Sequence, residues 1–153
     1  MESYKKILLD TTLPDTFLGF LVLCLDDNDL VIFGDCGASK DYLKIKITEV
    51  VAYHVYEELC HPDMDRGKDH PVPPFSNEGK AIYYPALEVV NSEWINSFSD
   101  NRLREHRRKS AKHFQFLSYS NVIDVVANGV PSASLISKNE YLKVEGIIKD
   151  ALA

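Results

Sequence analysis

The sequence predicts an α+β domain, a mainly antiparallel, curled sheet of about six strands with two or three covering helices. Three observations carry that expectation. Residues Thr16 to Tyr56 form a dense run of β-type sequence, a second pair of apolar segments flanks Ser120-Asn121, and helix-start signals stand at Asn91-Ser92 and Ser137.

Residues 3–9 suit a short helix, ended by Leu13-Pro14-Asp15. Phe17 to Leu25 is apolar throughout, so it reads as a central strand buried on both faces. Asp26-Asp27-Asn28-Asp29 then turns the chain into Leu30 to Phe33 as a hairpin. Leu43, Ile45 and Ile47 alternate with Lys44, Lys46 and Thr48, giving one core face and one wet face. Glu49 breaks the phase, so a bulge or bend is expected before the next strand, Val50 to Tyr56. From Glu57 to Gly79 six prolines and glycines remove any periodic pattern, and a long polar loop is expected.

Ala81 to Tyr84 and Leu87 to Val90 resume strand character, and Ser92 can cap a short helix carrying Trp94, Ile95 and Phe98. His113 to Tyr119 and Val122 to Val126 form a second hairpin, completing the same sheet. Ser137-Lys-Asn-Glu140 has capping-box form, in which each side chain satisfies a free amide of the other residue. It opens a helix over about 138–152 with Tyr141, Val144, Ile148 and Leu152 as its inner stripe.

A chain of 153 residues fits one domain, expected here over 1–153, and can bury about 70% of its unfolded surface without a disulfide or metal staple. Its 45% hydrophobic and 26% charged composition is that of a globular protein. A net charge of −6 disfavours general binding to nucleic acid or anionic membrane and suits a basic protein partner. Cys24, Cys36 and Cys60 are odd in number and show no CxxC spacing, which points to a reducing cytoplasm, with Cys24 packed as a small hydrophobe. The longest apolar run, Phe17 to Leu25, contains Gly19 and is too short for a bilayer, so no membrane association is expected.

Candidate sites are few. The segment Cys60 to His70 gathers His61, Asp63, Asp65 and His70 as candidate metal ligands, with His54, Glu57 and Glu58 just upstream. Imidazole and thiol favour zinc-type ions while carboxylates favour harder ones, and no HExxH or paired Cys/His spacing selects a metal. A solvated polar loop accounts for the same residues, and no cofactor is expected. Asp26 to Asp29 lacks the oxygen ligand, glycine and distal glutamate of a calcium loop and reads as a turn. Nucleophile elbows, Ser-x-x-Lys and phosphate loops are absent from the sequence, and the adjacent Cys60-His61 pair lacks any third group to orient it.

The charge is lopsided. Arg102, Arg104, Arg107, Arg108, Lys109 and Lys112 against Glu105 give 102–112 a net +5, and the total of −6 leaves −11 for the remainder. Such a patch can fork phosphates or carboxylates, although a solvated connector explains it too. Trp94 with Phe98, and Phe114 with Phe116, have spacings that core residues share. His54 and His113 read as structural or edge residues, and a strand carboxylate such as Asp124 is expected on the wet face.

Over residues 84–127, the stretch Tyr84-Pro-Ala-Leu-Glu-Val-Val-Asn-Ser-Glu-Trp-Ile-Asn-Ser-Phe98, with Lys112-His-Phe-Gln-Phe-Leu-Ser-Tyr119 and Asn121-Val-Ile-Asp-Val-Val-Ala127, resembles small bacterial β-rich cytoplasmic proteins. That resemblance brings no catalytic residues. In size, acidity and plainness the chain is similar to immunity proteins that neutralise toxins. A non-enzymatic interaction domain follows, an immunity-like inhibitor meeting a basic toxin through Glu57, Glu58, Asp63, Asp65 and Asp69. The alternatives are a metal-dependent hydrolase using the 54–70 loop and a ligand or nucleic-acid module using the 102–112 patch.

Overall fold

A computed structural model describes residues 1–8, 10, 17–35, 41–57, 84–98 and 111–153. Nine strands and two helices occur among them: β1 (Ser3–Lys6), β2 (Gly19–Cys24), β3 (Leu30–Asp35), β4 (Asp41–Ile47), β5 (Val50–Glu57), β6 (Ala86–Val90), α1 (Glu93–Ser97), β7 (Lys112–Leu117), β8 (Asn121–Ala127), β9 (Ser132–Ser137) and α2 (Lys138–Leu152). The predominantly antiparallel α+β character is as expected. The single curled sheet of six strands is not: the strands form two separate, uncurled sheets, β1-β6-β7-β8-β5 and β2-β3-β4-β9.

The division arises where the β4 alternation fails. Glu49 sits at φ 53°, so the chain turns sharply there instead of continuing along one sheet. Val50 N–H then donates to Asn28 O, Asn128 N–H to Glu49 O and Gly129 N–H to Thr48 O, fixing the crossover between the sheets. Gly129 is needed for that approach, because a Cβ there would overlap the Thr48 carbonyl oxygen. Sequence periodicity reports faces within a strand and carries no information on which sheet the next strand joins.

The sheets face each other across one core. Phe20, Leu30, Ile32, Leu43, Ile45 and Ile47 from the four-stranded sheet meet Ala86, Phe114, Phe116, Ile123, Val125 and Ala127 from the other. Only a few positions differ from the expected pattern. Residues 3–6 pair with β6 as a strand instead of starting a helix. The Phe17–Leu25 run supplies β2, an edge strand with Cys24 exposed, while β3 is the strand buried on both faces. Here covering of both faces belongs to the strand between neighbours, and β2 has a neighbour on one side only.

Each hairpin closes as expected. At the first, Asp27 Oδ1 accepts from Asp29 N–H and Asp29 pairs with Lys46 at 3.0 Å, so these carboxylates serve the turn. The hydrogen bond that the Lys46 ammonium donates to Asp29, with the carboxylate's charge, holds the ammonium above the ordinary lysine range. At the second hairpin Asn121 joins the sheets: Oδ1 accepts from Phe20 N–H at 3.1 Å and from Ser118 Oγ–H at 2.8 Å, and Nδ2 donates to Phe20 O at 3.0 Å. Asn121→Ala removes all three and is expected to cost about 2 kcal/mol in urea unfolding. A cost near zero would show the junction to be replaceable by water.

The capping box of α2 is formed, with Ser137 and Glu140 bonding each other's backbone amides. Tyr141 packs under the helix against Tyr42, ring centroids 4.5 Å apart, in a second cluster with Val31 and Phe33. Val144 and Ile148 are half-buried, but Leu152 is 82% exposed and lies outside the expected stripe, since the last turn passes beyond the sheet. The Ser137 amide and hydroxyl hold the Glu140 carboxyl below its ordinary range. A depressed carboxyl stabilises the fold above its unfolded pKa and loses that contribution as pH falls through the folded value. Acid titration by circular dichroism should therefore show α2 weakening below the ordinary carboxylate range, and Glu140→Gln should remove that pH-dependent component.

Candidate functional site

The outer face of the five-stranded sheet carries the main polar cluster of the described residues. Along β7, His113 and Gln115 share a face with Leu117, and along β8 Asp124 lies between Val122 and Val126 on that face. The register puts Asp124 directly opposite Gln115 on one side and His54 of β5 on the other. Asp124 is buried, contrary to its expected wet position, because it lies in a buried row with Val122 and Val126, and α1 packs on the neighbouring β7.

A continuous relay runs from the helix into the sheet. Ser92 Oγ lies 2.8 Å from His113 Nδ1, and His113 Nε2 lies 2.9 Å from Asp124 Oδ1. Gln115 Nε2 donates to the same Asp124 oxygen at 3.1 Å. Ser92 is also the N-cap of α1, its Oγ accepting from Ile95 N–H at 3.1 Å. With the imidazole neutral, every direction is fixed by donor and acceptor chemistry: Ile95 N–H to Ser92 Oγ, Ser92 O–H to Nδ1, and Nε2–H to the carboxylate.

That order of groups resembles the arrangement that activates a serine nucleophile, with the two ring nitrogens exchanged. Its surroundings are those of an internal tie. Ser92 is 4% exposed, and the next amide, Glu93 N–H, which could assist an attacked carbonyl, donates to Glu2 of the N-terminal segment at 2.6 Å. The relay thus fastens α1 and residue 2 onto the sheet. A buried polar network of this kind fixes one geometry because any displacement leaves donors without acceptors.

What it presents is aromatic. Trp94, the single tryptophan, stacks on His54 at 4.8 Å and meets His113 edge-on at 5.2 Å. Phe98 lies 5.7 Å from Trp94, and His54 Nδ1 is hydrogen-bonded to Tyr56 Oη at 2.9 Å. His54 is exposed, as are Tyr53 and Val55 on the opposite side of β5. An apolar and aromatic edge therefore runs along β5 and onto α1.

Of the residues singled out from the sequence, Glu57 is described, exposed at the end of β5. Glu58, His61, Asp63, Asp65, Asp69 and His70 lie outside the described residues, as do Arg102, Arg104, Arg107, Arg108 and Lys109. Lys112, from the end of the basic segment, pairs with Glu88 at 3.2 Å. Among the described residues no three His, Cys, Asp or Glu side chains come together as a metal site. No described helix is long and apolar enough to cross a membrane. Sequence reading missed the relay, yet one signal was present: polar His113, Gln115 and Asp124 alternate with apolar residues in rows whose other members, Leu117, Val122 and Val126, are themselves apolar. Such a row is buried, and its polar members must satisfy one another.

Comparison with protein-family models, with curated proteins and with solved structures finds no match to this chain.

Proposed function

We propose that the protein is a non-enzymatic interaction domain that binds another protein through the β5 edge, in the manner of an immunity-like inhibitor meeting a basic toxin. The observation that carries this reading is β5 itself: eight residues at the end of a sheet among the described strands, with Tyr53 38% and Val55 48% exposed on one face and the Trp94–His54 stack on the other. Large apolar and aromatic side chains held rigid at a surface are suited to binding because little freedom remains to be lost. The chain's net charge of −6 steers a basic partner toward it, and in sequence β5 runs from Glu57 into Glu58, Asp63, Asp65 and Asp69, the proposed acidic contacts.

Affinity capture from native cells at low and moderate salt tests this. A partner should be retained by the wild-type protein, less at higher salt, and be lost from Tyr53→Lys/Val55→Lys with the circular dichroism unchanged. Retention of the same partner by the double variant would place the contact elsewhere.

The relay favours a second reading, a serine acyl-transfer enzyme in which Ser92 attacks, its proton passing to His113. A fluorophosphonate adduct on Ser92, read by intact mass and absent from Ser92→Ala, would establish that reading; an unlabelled protein leaves the relay as a tie.

A further inference from the structure

We infer that Asn128-Gly129 is a covalent modification site that the fold keeps closed: in the unfolded chain it converts to isoaspartate, and the product cannot rebuild the junction between the two sheets.

Asn128-Gly129 is the one Asn-Gly pair of the sequence. Asparagine is thermolabile because the next amide nitrogen can attack its side-chain carbonyl, and a following glycine, with no Cβ, lets that nitrogen come closest. The Gly129 nitrogen gives up its proton to solvent and bonds to Asn128 Cγ, the Cγ–Nδ2 bond breaks, and Nδ2 leaves as ammonia. Water then opens the five-membered imide, mainly so that the backbone runs through the former side chain. Water is the only co-reactant.

In the folded protein the attacking nitrogen is tied. Two crossovers between the sheets run side by side, β4 to β5 through Thr48-Glu49 and β8 to β9 through Asn128-Gly129. Asn128 N–H donates to Glu49 O at 3.1 Å and Gly129 N–H to Thr48 O at 3.2 Å, so successive amides meet successive carbonyls. The proton that must leave is therefore bonded, and the nitrogen is fixed against the Thr48 backbone. Attack needs both bonds opened, which slows the native reaction about thirtyfold at the usual net worth of two such bonds.

The same two bonds make the product unusable. Isoaspartate places one more carbon between the two amides, about 1.5 Å of added backbone. The carbonyls of Thr48 and Glu49 keep their ordinary spacing, so one of the two bonds is lost. Gly129 has no slack to absorb the change, because even an added Cβ would overlap Thr48 Oγ1 and the Thr48 carbonyl oxygen. Unfolding thus becomes irreversible with time: a chain that stays unfolded is marked covalently and kept from the native state.

The full chain is incubated in mildly alkaline buffer with and without denaturing guanidinium chloride, and in the denaturant at mildly acid pH, where loss of the amide proton is suppressed. Peptide mapping reads isoaspartate at position 128. Removal of the denaturant and size exclusion then separate refolded from misfolded molecules. Isoaspartate should form about thirtyfold faster in alkaline denaturant than in the native protein, be suppressed at acid pH, and collect in the fraction that fails to refold. No isoaspartate in alkaline denaturant, equal rates with and without denaturant, or equal isoaspartate in the refolded and misfolded fractions overturns the inference.

Discussion

Asp124→Ala should destabilise the protein by about 2–6 kcal/mol, about 1–3 kcal/mol for each of two buried donors left without an acceptor. The substitution deletes the acceptor of both His113 Nε2 and Gln115 Nε2 in a closed site. His113 is then free to reorient, and Ser92 loses the acceptor that fixes its hydroxyl, so α1 loosens from the sheet. Urea unfolding measures the loss, and Trp94 emission reports α1 directly because it is the sole indole. Asp124→Asn keeps an oxygen able to accept both bonds and should recover much of the stability. If Asp124→Ala were as stable as the wild type, the relay would not be what holds this face together.

Phe116→Ala should cost a similar amount, about 3–5 kcal/mol, through lost burial and the cavity left behind. Phe116 is fully buried in the cluster that both sheets share, so neither sheet can close the gap without moving against the other. Phe116→Leu should lose about half as much or less, since most of the volume remains. Thermal unfolding of the two variants gives the comparison; equal midpoints would mean that the sheets repack freely.

Much of the secondary structure was legible. The β4 alternation, the Asp26–Asp29 turn, the Ser120-Asn121 hairpin and the Ser137–Glu140 capping box are local features whose causes lie within a few residues. β9 was not, because Ser132 to Ser137 is half serine and mostly exposed and gains strand form from pairing with β4. The same limit hid the second sheet. Glu49 was recognisable as a break, but its φ of 53° and the bonds from Asn128 and Gly129 that turn the break into a crossover come from residues about 80 positions away.

The relay shows the limit most sharply. Ser92 was readable as a helix cap and His113 as a structural histidine, yet a serine, a histidine and an aspartate on three elements meet only through the β7–β8 register. A carboxylate in a strand, taken by its type alone, belongs on a wet face, whereas the apolar residues at 122 and 126 place the whole row of Asp124 under cover. A charge is judged better by the row it occupies than by its own type.

β5 is the proposed seat of a protein partner. Amide hydrogen exchange, measured on the protein alone and with its captured partner, tests that most directly. Slowed exchange across Ala52–Glu57 with Trp94 and its neighbours is the predicted result. Protection confined to α2 or to the four-stranded sheet, with β5 exchanging as before, would contradict it.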